Sequence, residues 1–398
     1  MNILFALAAA GVLVRLVLAF ISYGTNDYRF YVIFAHEALH EGMRSVMTTF
    51  DEFNLTPAMA GYSILILLFY HATDAGFDKL PLFALMFKLP LIAADVGSMV
   101  VLWKVWRRKA GVYAAALAVA LFGWSLNSLL VTGYHCNTDP FYALLALLAV
   151  YYADERRRPV AAGLALAAAI NVKLIPVLLV PGFLLAYRDW REALRFLAAL
   201  SVGAIPFLVM LAIHGGLFWE QVINYNSQLM NWGVSFFILR ASESEALGGI
   251  GAALVTGYRT WGKYLMLLAI VAAATEGRRR GWDRYRTAAV AFSIFLILTP
   301  GFGPQYTVAV VPVMLAVSRT FAAVYSTASG VHLATMYIYF SKGTFPWESF
   351  FPGIDPVGPA MLGLVAWGVL VAFVVTQFML SDSATDAVDV SIAAGARA

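Results

Sequence analysis

Residues 133–181 read GYHCNTDPFYALLALLAVYYADERRRPVAAGLALAAAINVKLIPVLLVP. The stretch is almost wholly apolar. It carries one polar knot (His135, Asn137, Thr138, Asp139), one basic turn from Asp154 to Arg158, and one lone cation, Lys173. Runs of this kind belong in lipid, where every backbone polar group must be satisfied within the segment and a charged side chain needs a partner or a polar cavity. The alternation of apolar run and charged turn predicts an all-α chain that crosses a membrane repeatedly. It also predicts that Asp139 and Lys173 lie on one side of that membrane, where Asp27, much earlier in the chain, joins them.

Composition points the same way. Of 398 residues, 61% are hydrophobic and 13% charged, against about 25% charged in an ordinary soluble domain. The formal charge of +4 is gathered in short turns, as membrane topology requires. No basic stripe interleaved with aromatics runs through a polar segment, so nucleic acid is not an expected partner. The single cysteine, Cys136, allows no internal disulfide and reads as a packing residue. Residues 3–21 lack a basic leader and a trusted small-residue cleavage pattern, and read as a retained first span.

Basic patches at 104–109 (KVWRRK), 156–158, 188–195 (RDWREALR), 278–286 (RRRGWDRYR) and Arg319 separate the apolar runs. Short basic loops belong in the cytoplasm. The predicted passes are 3–21, 81–103, 112–131, 141–152, the half-spans 160–172 and 174–187 joined at Lys173, 196–214, 260–275, 287–298, 306–317, 320–340 and 359–380. This gives a transmembrane domain over 1–380 of about twelve passes, with both termini cytoplasmic and large outer loops at 22–80 and 215–259. Residues 58–70 are apolar but short of the ~20 residues a full span needs, and read as a dipping or interfacial helix. The small, polar tail 381–398 is expected to be disordered and cytoplasmic.

The outer side gathers the residues that could carry chemistry. Asn26-Asp27 follows the first span. Asp27 reads either as a helix cap or as a carboxylate able to take a proton from an acceptor hydroxyl. His36 and His40, one helical turn apart, show no third metal ligand and read as a solvated face. Asp139 stands before Pro140, where a helix start is natural, yet His135 and its polar neighbours are denser than a connecting turn requires. Lys173 would cost about 2.5–3.5 kcal/mol at the bilayer centre, so it either snorkels or binds a phosphate near headgroup level. Tyr225, Asn231 and Trp232 combine amides and rings suited to sugar binding, or to an interfacial aromatic belt. A Pro/Gly-broken turn presents Gln305 and Tyr306. Lys88 and Asp95, seven residues apart on one helix face of a single span, are expected to satisfy polar partners in the bundle, and Arg15 in the first span likewise. Hydrolase patterns such as GxSxG, HExxH and the P-loop do not occur, nor does a DxD motif.

These pieces, in this order, resemble the GT-C superfamily of polytopic glycosyltransferases that use polyprenyl-phosphate-linked sugars. The likeness rests on Asn26-Asp27 after the first span, Asp139 in GYHCNTDPF, AGLALAAAINVKLIPVLLVP with Lys173, and GPQYTVAVVP with Gln305 and Tyr306. NYNSQLMNWGVSF is similar to a segment of the mannosyl and glucosyl branches. The resemblance implies inverting transfer of a hexose, mannose first, from a polyprenyl monophosphate sugar to a lipid-linked, glycan or protein acceptor on the outer face. It implies Asp27 as general base, Asp139 in support, Lys173 on the donor phosphate with Arg240 or Arg259, and Asn26, His135, Tyr225, Asn231, Trp232, Gln305 and Tyr306 around the substrates. No cofactor is demanded, while room is left for a divalent metal ion; NDY lacks the paired acids that would hold one. The competing readings are a transporter or flippase, which predicts an internal repeat and polar sites at the midplane, and a membrane scaffold without chemistry.

Overall fold

The computed structural model describes residues 1–25, 27–73, 80–225, 229–244, 248–340 and 357–379. Among these there is no strand. The helices are α1 (Asn2–Ile21), α2 (Asp27–His40), α3 (Met43–Thr49), α4 (Pro57–Ala72), α5 (Leu80–Gly123), α6 (Leu126–Ser128), α7 (Asp139–Asp154), α8 (Pro159–Val172), α9 (Val180–Ala186), α10 (Trp190–Val202), α11 (Ile205–His214), α12 (Gly216–Phe218), α13 (Gly233–Ser242), α14 (Gly248–Arg280), α15 (Arg284–Leu298), α16 (Val310–Val317), α17 (Arg319–Phe340) and α18 (Val357–Met379).

Helix α5 is two arms. Gly111 sits at φ 87° and ψ −173°, outside helical geometry. In a straight helix Asp95 and Gly123 would lie about 42 Å apart. Here the Arg15 guanidinium touches both, donating from Nε to Asp95 at 2.8 Å and from Nη1 to the Gly123 carbonyl at 2.5 Å. The chain therefore folds back at Gly111, which puts the KVWRRK patch at a hairpin tip. Arg15 is fully buried, yet well satisfied: its other Nη donates to Ser128 at 3.0 Å, and the same Asp95 oxygen accepts from Ser128 and Thr132. A buried charge is tolerated when paired and hydrogen-bonded in this way.

Helices α7, α15 and α16 form the centre and are buried over most of their circumference. Helices α1, α11, α14 and α18 turn large apolar residues outward, among them Phe20, Leu208, Leu268 and Val365. A central helix apolar all round and an outer helix apolar on its outside are what lipid solvent produces. By length and composition, three helices among the described residues suffice to cross a membrane: Asn2–Ile21, Leu82–Gly123 and Ala360–Met379. The pair α10 and α11, bent by 41° between Val202 and Ile205, reaches the same length and hydropathy when taken as one broken span.

The basic turns gather at one end. Arg108 pairs with Glu155, Lys109 with Asp283 at 3.5 Å, and Arg284 with Asp154 at 2.9 Å. Lys109 also reaches the Ala316 carbonyl, Arg278 that of Tyr187, and Arg280 that of Phe378. The polar knot lies at the other end of α7, about 24 Å away by helical rise.

Several expected boundaries differ. The pass predicted over 112–131 breaks after Gly123. There the Asn127 side chain accepts from the Ser125 hydroxyl and the Ser128 N–H, and a π-helix follows over Leu129–His135. Such local side-chain bonds compete with regular helix. The loop predicted over 215–259 is shorter, because α14 already starts at Gly248. The loop predicted over 22–80 contains α2, α3 and α4. The tail 381–398 lies outside the described residues.

Candidate active site

Three turns build the site. The first links α1 to α2. Gly24 has φ +101°, and a Cβ there would meet the Tyr134 and His135 carbonyl oxygens at 2.6 Å. Only glycine lets the chain pass so close. Thr25 then donates its N–H to the His135 carbonyl at 3.3 Å, which sets Asp27 at the head of α2 against the polar knot.

Oδ2 of Asp27 accepts from His135 Nε2 and from Asn137 Nδ2, each at 2.9 Å. Oδ1 has no hydrogen-bond partner among the described residues, and the side chain is 37% exposed. An ionised carboxylate accepts only, so Nε2 of His135 carries a proton toward Asp27, while Nδ1 lies 2.6 Å from the Tyr337 hydroxyl. Burial pushes the Asp27 pKa up, but the His135 ring, the bonds from His135 and Asn137, and the Lys173 ammonium outweigh it and hold the carboxyl below its ordinary value. Burial is the largest single effect, and the opposing ones exceed it only in combination.

The second turn follows the π-helix. Cys136 takes a left-handed conformation, φ 67° and ψ 53°, and is fully buried. Burial pushes its thiol up to about 12, so it packs and stays protonated. The Asn137 side chain accepts from the Asp139 N–H at 3.3 Å, and Pro140 lies in the first turn of α7. Asp139 therefore sits at a helix N-terminus, where the dipole favours an anion. It is fully buried, accepting from Lys173 Nζ at 2.5 Å and from the Tyr142 hydroxyl at 3.3 Å.

The third turn carries Lys173. Helix α8 stops at Val172; Lys173 is extended (φ −158°, ψ 145°), and Pro176 lies in the 3₁₀ turn that follows. The Thr56 hydroxyl at the head of α4 donates to the Asn171 carbonyl and lies 3.1 Å from that of Val172, closing the end of α8. The ammonium lies 4.5 Å from the centre of the Tyr306 ring, a cation–π contact, and the side chain keeps 23% exposure. Asp27, Asp139 and Lys173 thus share one polar cluster at one end of the bundle.

The remaining predicted residues are placed as follows. Asn26 lies outside the described residues. Tyr225 is exposed. Asn231 accepts from Arg240 at 3.4 Å, and Arg240 pairs with Glu243 at 2.8 Å. Arg240 is thus held by an acid of its own helix turn. Trp232 is 1% exposed, stacked on Phe302 at 4.3 Å, with its indole N–H on the Leu296 carbonyl. Its ring faces are taken by packing rather than offered to a sugar. Arg259 is exposed within α14 and touches neither aspartate nor Lys173. Gln305 is half-buried and packs its amide over Gly303.

Tyr337, Tyr142 and Thr56 are additions the sequence did not flag. Each is an ordinary helix-end or capping residue until its partner, far away in sequence, is known. Among the described residues no three His, Cys, Asp or Glu side chains converge.

In comparison with known proteins, the family model described as glycosyltransferase family 87 matches residues 79–300, more than half of the chain. The match includes Asp139, Lys173 and Trp232 and leaves out Asp27, Gln305 and Tyr306. No curated protein matches the chain.

Proposed function

The chain belongs to glycosyltransferase family 87 and is a membrane glycosyltransferase; from that premise we propose that it moves a hexose, mannose first, from a polyprenyl monophosphate sugar to a lipid-linked, glycan or protein acceptor. In this reading the shorter apolar helices are also passes, about twelve in all, in a GT-C-like bundle. The basic end is cytoplasmic with both termini, and the end holding Asp27 is extracytoplasmic.

The observation that carries the reading is the cluster itself. It offers an ionised carboxylate with one oxygen unengaged, beside a cation anchored by a buried acid. The acceptor hydroxyl hydrogen-bonds to Asp27 Oδ1 and attacks the anomeric carbon from the face opposite the phosphate. The new C–O bond forms as the C–O bond to phosphate breaks, and the hydroxyl proton passes to Asp27. The donor is a phosphodiester with one negative charge; the leaving polyprenyl phosphate gains a second. Lys173, held by Asp139 and Tyr306, stabilises that developing charge. His135 and Asn137 orient Asp27 through Oδ2.

The test is transfer from labelled polyprenyl-phosphate mannose, glucose and arabinose in vesicles, wild type against Asp27→Asn. A fall of about 10²–10⁴-fold is expected for loss of a general base. Undiminished transfer in Asp27→Asn overturns the assignment. Lipid movement without product, equal in both proteins, favours a flippase instead.

A further inference from the structure

We propose that the basic end of the bundle holds a second binding site, for the phosphate headgroup of an anionic lipid. A cavity of about 510 Å³ opens there between the first arm of α5 and the end of α7. It lies one helix length from Asp139, so it is separate from the cluster described above.

Its lining carries four cations, Lys104, Arg107, Arg108 and Arg156, against one acid, Glu155. Glu155 is taken by Arg108. Arg156 donates to the Tyr151 hydroxyl at 2.9 Å and lies 5.5 Å from the centre of that ring, which fixes its guanidinium in place. Lys104 and Arg107 are exposed and have no ion pair or hydrogen bond to the described residues. The hollow thus presents two uncommitted cations and one guanidinium held on Tyr151, a set suited to phosphate oxygens. Positive-inside sorting alone explains basic turns; it does not explain a concavity in which the one acid is already used.

The rim indicates a lipid. Trp103 lines the cavity and packs on Phe5 of α1 at 5.2 Å. Phe5, and Val100 one turn before Trp103 in α5, are exposed apolar residues. The cavity is therefore continuous with a greasy outer face on which acyl chains can lie. A tryptophan and basic side chains at such a boundary mark headgroup level.

The test uses the full chain in nanodiscs of phosphatidylcholine with or without phosphatidylglycerol, with bound lipid counted by native mass spectrometry. Lys104→Ala with Arg107→Ala removes the uncommitted cations. At about 1 kcal/mol per basic residue, phosphatidylglycerol should bind about thirtyfold more weakly. The control, Arg191→Ala with Arg279→Ala, removes two exposed charges from the same end outside the cavity and should change binding less than threefold. Equal loss in both pairs would mean diffuse surface charge and overturn the proposal. So would full competition by inorganic phosphate at matched concentration, which would mean a small-anion site, or unchanged binding in the cavity variant.

Discussion

Lys173→Met separates the structural from the chemical work of the lysine. The variant keeps the length of the side chain but leaves Asp139, fully buried, with only the Tyr142 hydroxyl at 3.3 Å. Breaking a buried pair by removing one partner costs about 3–5 kcal/mol. Lys173 keeps 23% exposure, so the low end, about 3 kcal/mol, is expected. Adding Asp139→Asn removes the stranded charge, and the double variant should recover most of that loss, since replacing both partners is often neutral. Transfer should not recover, because the cation opposite the leaving phosphate is still missing, at a cost of about 10²–10³ in rate. The assay is thermal unfolding of the detergent-solubilised protein by tryptophan fluorescence, paired with transfer in vesicles. A double variant as unstable as Lys173→Met would refute the pairing argument. A double variant that regains transfer would refute the phosphate role.

Three other outcomes follow from the same geometry. Gly24→Ala must move the turn between α1 and α2 by roughly an ångström from the Tyr134 and His135 carbonyls, and a misplacement of that size costs about 10²-fold in rate; unchanged transfer would show that this turn does not position Asp27. The Asp27 pKa is depressed, so its ionised form contributes stability above its unfolded value of about 3.9, lost only as the pH falls through the lower folded value; between pH 5 and 8, transfer should show no acid limb that disappears in the residual activity of Asp27→Asn, and finding one contradicts the depressed value. Arg15→Met strands buried Asp95 with two hydroxyl donors and should destabilise by about 3–5 kcal/mol, while protein that stays folded keeps its transfer rate; unfolding at the wild-type midpoint would refute this.

Much of the candidate polar cluster was legible in the sequence because lipid makes polar residues conspicuous. A lysine between two apolar half-spans, and four polar side chains where two spans meet, could not be ignored, and they converge. The turn between 103 and 112 was legible as a basic patch, and Gly111 makes it. What the sequence hid was partnership at long range. Tyr337 stands 202 residues from the His135 ring it touches, and a tyrosine near a helix end reads equally well as an interfacial anchor. Trp232, beside amides, reads as a sugar platform until Phe302 is seen stacked on it. Arg259 looked like loop because Gly248, Gly249 and Gly251 obscure the start of a helix that nevertheless runs through it.

The hydroxyl of Thr56 is a latch as well as a cap. It fastens the crown formed by α2, α3 and α4 to the last carbonyls before Lys173. Any tilt of that crown would pull on the extended residue that bears the ammonium. The position of the crown and the aim of the charge are thereby coupled through one hydroxyl.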